Sequence, residues 1–76
     1  MNDNKQEILE VAVELFAEKG YHGTSMNMIA REAGVSKGGL YWYFCSKKDL
    51  YSSIIEMPFK DYIKFIKKVR KKQVED

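Results

Sequence analysis

Three consecutive aromatic residues, Tyr41, Trp42 and Tyr43, are the side chains of this sequence best suited to contact a partner. Leu40 and Phe44 are four positions apart, a spacing that places both on one face of a helix and directs them into a core. At least two of the three rings must then face solvent, although Tyr41 alone could also be a core residue. Exposed aromatic clusters mark interaction surfaces, and these rings would suit contacts to phosphates and thymine methyl groups.

Lysines and glycines accompany the aromatic residues. Lys37 lies four positions before Tyr41, and Lys47 follows the cluster. Gly38 and Gly39 carry no side chains, so the backbone there can come close to phosphates or base edges. Isolated surface lysines usually have no function, so these two gain weight only from the motif around them.

Four helices are predicted to position these residues, because apolar spacing and capping residues define their bounds. The first covers about residues 4–19, with an apolar stripe on one side and Glu7, Glu10, Glu14 and Glu18 on its other faces. The second covers 26–33, the third 37 to about 44, and the fourth begins after Ser46. Gly20 and Gly34 are expected to end the first two helices.

Serine and threonine residues precede these helices and are candidate caps. Thr24 and Ser25 can each cap the second helix, Ser36 the third, and Ser46 the fourth through a capping-box pattern with Asp49. The helix starts at 24–25 and at 46–47 could each bind a phosphate. His22 and Cys45 are interpreted as an ordinary loop histidine and a filler between helices.

A helix, a tight turn and a second helix over about residues 26–45 predict a helix-turn-helix, which presents its second helix to the major groove of DNA. The small Ala30 permits close helix packing, Gly34 closes the turn, and Val35 with Leu40 fills the crevice. The fold class is therefore all-α: a three-helix, homeodomain-like head, then a fourth helix and an amphipathic C-terminal helix.

The segment after Pro58 has a different character. Residues 1–58 hold six basic and eight acidic side chains, a charge of −2, whereas residues 59–76 hold seven basic and three acidic, a charge of +4. Its apolar stripe should not fit into the closed core of the head, and a second copy or a further domain would cover it. The basic run could instead touch DNA or an anionic membrane. The stripe consists of Phe59, Tyr62, Ile63, Ile66, Val69 and possible member Phe65.

Composition excludes several function classes. The sequence has 76 residues, enough for one small domain, and a single cysteine, which rules out an internal disulfide or a thiolate-rich metal site. It shows no paired nucleophile and base, no metal-ligand cluster and no phosphate-binding glycine loop, so we expect no enzyme, no cofactor and no metal. Without a signal peptide or an apolar run of about 20 residues, a cytoplasmic protein with no membrane partner is expected.

The sequence resembles the tetracycline-repressor (TetR) family of transcriptional regulators over about residues 5–56. The string AGVSKGGLYWYF followed by SKKDL carries most of the resemblance. Other matching residues are Ile8, Ala12, Leu15, Phe16, Gly20, Tyr21, Thr24, Ser25, Ile29 and Ala30.

The resemblance implies a transcriptional regulator that represses by binding a palindromic operator in double-stranded DNA as a homodimer. Residues 1–56 would form the DNA-binding domain, and 57–76 would begin a C-terminal domain that binds a small-molecule inducer; that inducer site is expected to be absent from this chain. Trp42 and Cys45 are unusual at their positions, so a base preference cannot be transferred. Together with Gly39, the DNA-contacting set is Thr24, Ser25, Ser36, Lys37, Gly38, Tyr41, Trp42, Tyr43 and Lys47.

A rival interpretation remains from the residues alone: a small helical interaction module that docks through the Phe59–Val69 stripe. Such a module would associate with DNA weakly and without sensitivity to salt, the opposite of a regulator.

Overall fold

The structure of the chain is a computed structural model, and it describes residues 4–58, 61, 63–65 and 67. The first 55 of these form four helices that match the predicted bounds, apart from the end of the third. They are α1 (Asn4–Lys19), α2 (Met26–Ala33), α3 (Lys37–Tyr43) and α4 (Lys47–Ile55). The predicted third helix ran to Phe44, but that residue has extended backbone and is the C-cap of α3.

Three serines begin the last three helices, as three of the predicted caps required. The hydroxyls of Ser25, Ser36 and Ser46 each accept a hydrogen bond from the backbone N–H three residues later, at 3.1, 2.9 and 3.1 Å. These bonds satisfy donors that a helix start leaves without partners. The carboxylate of Asp49 accepts from the N–H of Cys45 at 2.9 Å, one residue before the partner that the capping-box pattern predicts.

The turn between α2 and α3 depends on Gly34, as predicted. Its φ of 71° lies in the left-handed region, which costs glycine least. The N–H of Gly34 donates to the carbonyl of Arg31, and the N–H of Val35 donates to that of Ala30. These hydrogen bonds satisfy carbonyls at the end of α2. They let the chain reverse within three residues, so that α3 packs against α2.

The core lies between α1, α2 and α4, and α3 packs on α2. Ile8 and Ala12 of α1, Ile29 of α2, Leu40 of α3 and Leu50 of α4 have no solvent exposure. Each helix therefore contributes at least one fully buried side chain, and burial of apolar surface holds the head together at about 25 cal/mol per Å².

Two predictions about burial were wrong. Glu10, expected on an outer face of α1, is 3% exposed and accepts a hydrogen bond from the Gln6 side chain at 3.0 Å. Phe65, expected to remain outside the closed head, is 4% exposed within its core. Phe65 is buried because the chain after Pro58 returns to α1, where Phe65 and Lys64 line the same depression as Gln6.

Asp61, Ile63, Lys64, Phe65 and Lys67 are helical, in agreement with a helix after Pro58. The predicted stripe members Phe59, Tyr62, Ile66 and Val69, and the rest of the basic run, lie outside the described residues. In the part of the chain that the structure describes, no helix is both long enough and apolar enough to cross a membrane.

Candidate nucleic-acid interface

A shallow depression of about 470 Å³ lies where the starts of α2 and α4 meet α3. Five predicted site residues line it: Thr24 and Ser25 at the start of α2, Lys37 and Tyr41 on α3, and Lys47 at the start of α4. Two ammonium groups and two capped helix starts on one surface provide a positive potential suited to an anion. The tertiary fold thus brings together residues that are 23 positions apart in the sequence.

The three aromatic residues of α3 are all exposed, which confirms the prediction that at least two face solvent. Trp42 is 82% exposed, whereas Tyr41 and Tyr43 are 42% and 38% exposed. Leu40 is the buried residue of α3, and Phe44 returns to the core at the helix end. The indole of Trp42 therefore projects furthest from the surface of this helix.

Of the remaining predicted site residues, Ser36, Gly38, Gly39, Trp42 and Tyr43 lie along α3 but do not line the depression. The Ser36 hydroxyl already caps α3 through Gly39. A Cβ added at Gly38 would meet open space, whereas one added at Gly39 would lie 3.0 Å from that hydroxyl. A partner can therefore approach the backbone at Gly38 freely. Glycine at position 39 is explained by its close packing against the capping hydroxyl of Ser36.

Thr24 lines the depression, but its side chain is buried. Its side chain is 1% exposed, and its hydroxyl lies 2.9 Å from the carbonyl of Gly20 and 3.2 Å from that of Leu15. The hydroxyl therefore links the α1–α2 turn to the end of α1. Ser25, its neighbour, is the cap and is exposed.

Lys47 makes two contacts across the fold, both with Tyr21. Its ammonium donates to the Tyr21 carbonyl at 2.7 Å and lies 4.2 Å from the centroid of the Tyr21 ring. The ring in turn packs against Phe16 of α1 and Tyr51 of α4, with centroid distances of 5.8 and 5.0 Å. The half-buried Lys47 is thus held at the edge of the depression.

Sequence reasoning missed part of the lining. His22, Met26, Asn27 and Cys45 also line the depression, as does Ser46, which the predicted phosphate site at the start of α4 had included. Asn27 could have been predicted from the sequence, because a polar residue in the first turn of a capped helix lies beside any anion bound there. His22 and Cys45 had no such signal, since each was a lone residue in a turn. Among the described residues, no group of three or more His, Cys, Asp or Glu side chains could hold a metal ion.

Comparison with known proteins gives the family. Residues 8–54 match the family model described as bacterial regulatory proteins, tetR family. This match covers more than half of the chain and includes α2, the turn and α3. The chain belongs to the tetR family.

Several relatives are similar to this chain. The HTH-type transcriptional regulator AcrR of Shigella flexneri is 46% identical over 55 residues, which cover 72% of this chain and 26% of AcrR. The biofilm operon icaADBC HTH-type negative transcriptional regulator IcaR of Staphylococcus aureus is 41% identical over 59 residues, 78% of this chain and 31% of IcaR. This chain therefore spans about a quarter to a third of the length of these relatives.

A solved structure shows the same fold. The crystal structure of a tetR-family transcription regulator from Shewanella sp. PV-4 superposes with a TM-score of 0.63 at 53% identity. The superposition covers 64% of this chain and 26% of that one. The helical head is therefore an arrangement that a larger protein also contains.

Proposed function

We propose that this chain binds double-stranded DNA sequence-specifically and acts as the DNA-reading head of a transcriptional repressor. The observation that carries the proposal is α3: a helix with one buried residue and three exposed aromatic side chains, beside a depression lined by two lysines. Membership of the tetR family and the similarity to IcaR, a negative transcriptional regulator, support it.

The proposed interface makes two kinds of contact, one to phosphates and one to bases. Lys37, Lys47 and the starts of α2 and α4 would hold phosphates, which position a protein on DNA without reading its sequence. Trp42 and Tyr43 would face base edges and thymine methyl groups in the major groove, where each base pair differs. Tyr41, at the edge of the depression, would add a phosphate contact. The proposal gives the chain no catalytic role, cofactor or metal, and places it in the cytoplasm, where bacterial DNA lies.

We propose further that two copies act together on a palindromic operator. α3 has seven residues, about 10 Å of helix, and so spans only about three base pairs. Two such helices, on half-sites about 34 Å apart, would read enough sequence to select a site. The homodimer contacts and a small-molecule inducer, which the resemblance implies, are proposed to lie in parts of the protein other than the DNA-facing helices.

A titration of DNA binding against salt tests the proposal. Two lysines that neutralise phosphates predict a slope of about −1.8 in log affinity against log salt for each bound chain, or about a tenfold loss from 50 to 200 mM. Lys37→Gln should make the slope shallower by about 0.9. Lys5→Gln, at an exposed residue of α1 that does not line the depression, is the control and should leave the slope unchanged.

Affinity that does not change with salt would overturn the proposal and favour the interaction module instead. Only part of that module's predicted surface is described: Ile63 is 37% exposed, but Phe65 belongs to the core of the head. The described residues therefore favour the DNA-reading function.

A further inference from the structure

We propose that Tyr21 is a positioning residue for DNA binding: the face of its ring and its backbone carbonyl hold the Lys47 ammonium ready for a phosphate. The inference rests on the proposed function and deepens it, because it assigns a role to a residue in the α1–α2 turn that lies outside the predicted contact set. The observations are two simultaneous contacts between residues 26 positions apart.

The geometry fixes the ammonium from two sides. Lys47 Nζ donates to the Tyr21 carbonyl at 2.7 Å and lies 4.2 Å from the ring centroid, within the distance at which a cation is attracted to an aromatic face. An ammonium has three N–H donors, so one bond to the carbonyl leaves donors for a phosphate. Lys47 also lines the depression with Lys37 and Ser25, where that phosphate would bind.

The Tyr21 ring is itself held in place by neighbours from two helices. Phe16 of α1 stacks on it with an interplanar angle of 27°, and Tyr51 of α4 meets it at 64°. Phe16 and Tyr51 also contact each other edge to face, with centroids 5.3 Å apart. The aromatic triad Phe16, Tyr21 and Tyr51 therefore forms a support that does not depend on DNA.

A lysine side chain that is already held in its binding conformation loses less entropy when it binds a phosphate. A lysine side chain that is immobilised only on binding loses rotamer freedom at that step. Contacts made before binding remove part of this cost, so the effect of Tyr21 should appear in DNA affinity and should require Lys47. Lys48 provides a matched comparison, since it is the next residue of α4, is exposed and does not line the depression.

A double-mutant cycle on DNA affinity tests the proposal. Tyr21→Leu removes the ring face and should weaken binding about threefold to fivefold, the range that a cation–π contact supports. Tyr21→Phe keeps the ring face and should stay within about twofold of wild type. In a Lys47→Gln background, Tyr21→Leu should have no further effect, whereas in a Lys48→Gln background it should retain its full effect.

A spectroscopic measurement keeps the test valid if Tyr21→Leu fails to fold. In the wild-type chain, NMR should place the side-chain methylene protons of Lys47 nearest the ammonium upfield of those of Lys48, because the Tyr21 ring current shields them. The shift should persist in Tyr21→Phe. Shifts that are equal for the two lysines would show that the contact is not made in solution and would overturn the proposal.

Other outcomes distinguish a failure of the Tyr21 positioning role from a failure of the proposed DNA-binding function. If Tyr21→Leu weakens binding equally with and without Lys47, Tyr21 acts only through general stability and the positioning role is wrong. If Tyr21→Phe is as harmful as Tyr21→Leu, the ring face is not the cause and the role is again wrong. If wild-type binding itself ignores salt, the proposed function fails, while the NMR comparison still decides whether Tyr21 holds Lys47.

Discussion

Helices α1 and α3 use the same secondary structure for opposite purposes. α1 has 16 residues, and five of them are buried: Ile8, Leu9, Glu10, Ala12 and Leu15. α3 has seven residues and buries one, Leu40, while its aromatic side chains remain exposed. A helix this short does not persist by itself in water, so α3 depends on the packing that α1, α2 and α4 provide.

The difference shows that stability and recognition lie on separable residues. Burial of apolar side chains in α1 stabilises the fold without touching a partner, and exposure of aromatic side chains in α3 forgoes that stabilisation in favour of contact. Substitutions should therefore fall into two groups, those that change unfolding and those that change DNA binding. Substitutions in α1, at Thr24 and at Gly38 test whether the two groups are separate.

The largest effect is expected from the core of α1. Ile8→Ala deletes a side chain with no solvent exposure and should lower the free energy of unfolding by about 2–5 kcal/mol. Chemical denaturation measures it. Ile55→Ala, the same substitution at a side chain that is 62% exposed on α4, should stay within about 0.5 kcal/mol. Equal losses at the two isoleucines would show that α1 is not the packing element.

Thr24 is expected to behave as part of the fold although it lies beside the contact surface. Thr24→Val keeps the shape but removes the hydroxyl that lies within hydrogen-bond distance of Leu15 and Gly20. The free energy of unfolding should fall by about 1–3 kcal/mol, while DNA affinity, measured well below the melting temperature, should not change. A variant of full stability that binds DNA poorly would show that the Thr24 hydroxyl contributes to DNA contact.

Gly38→Ala should raise the stability of the fold and lower the affinity for DNA. The added methyl group meets open space, and alanine favours a helix over glycine by up to about 1 kcal/mol, so the fold should become slightly more stable. The same methyl group would block close approach of the α3 backbone to DNA and should lower affinity. Thermal melting measures the stability and a binding titration on the same preparation measures the affinity. An unchanged affinity would show that the α3 backbone does not come close to DNA at Gly38.

Much of this fold could be predicted because its signals are local. The spacing of apolar residues gave the bounds of α1 and α2 and the start of α4, and Ser36 and Ser46 were predicted as the caps of α3 and α4. Gly34 has the positive φ that its place after α2 predicted. The exposure of the aromatic residues followed from Leu40 and Phe44 alone, since a short helix has only one inner face.

The features that sequence reasoning missed all depend on contacts between distant residues. Thr24 and Ser25 are adjacent hydroxyl residues, and only the return of the α1–α2 turn onto α1 buries one and leaves the other as the cap. Phe65 is buried where the chain after Pro58 returns to α1. The Lys47–Tyr21 contact joins α4 to a turn 26 positions earlier, a pairing that no local pattern encodes.

The sequence selectivity of a Trp42 variant shows whether α3 reads the base sequence. A duplex selected by the wild-type chain from a random pool is compared with a scrambled duplex, and the ratio of the two Kd values is the readout. Trp42→Ala should change the free energy of unfolding by no more than about 0.5 kcal/mol and reduce the ratio about tenfold, the loss of one good base contact. Lys47→Gln should raise both Kd values and leave the ratio within about twofold, because phosphates carry no sequence information. A ratio that survives in Trp42→Ala, or that falls equally in Lys47→Gln, would contradict the account that α3 reads the sequence while the residues around it hold the DNA.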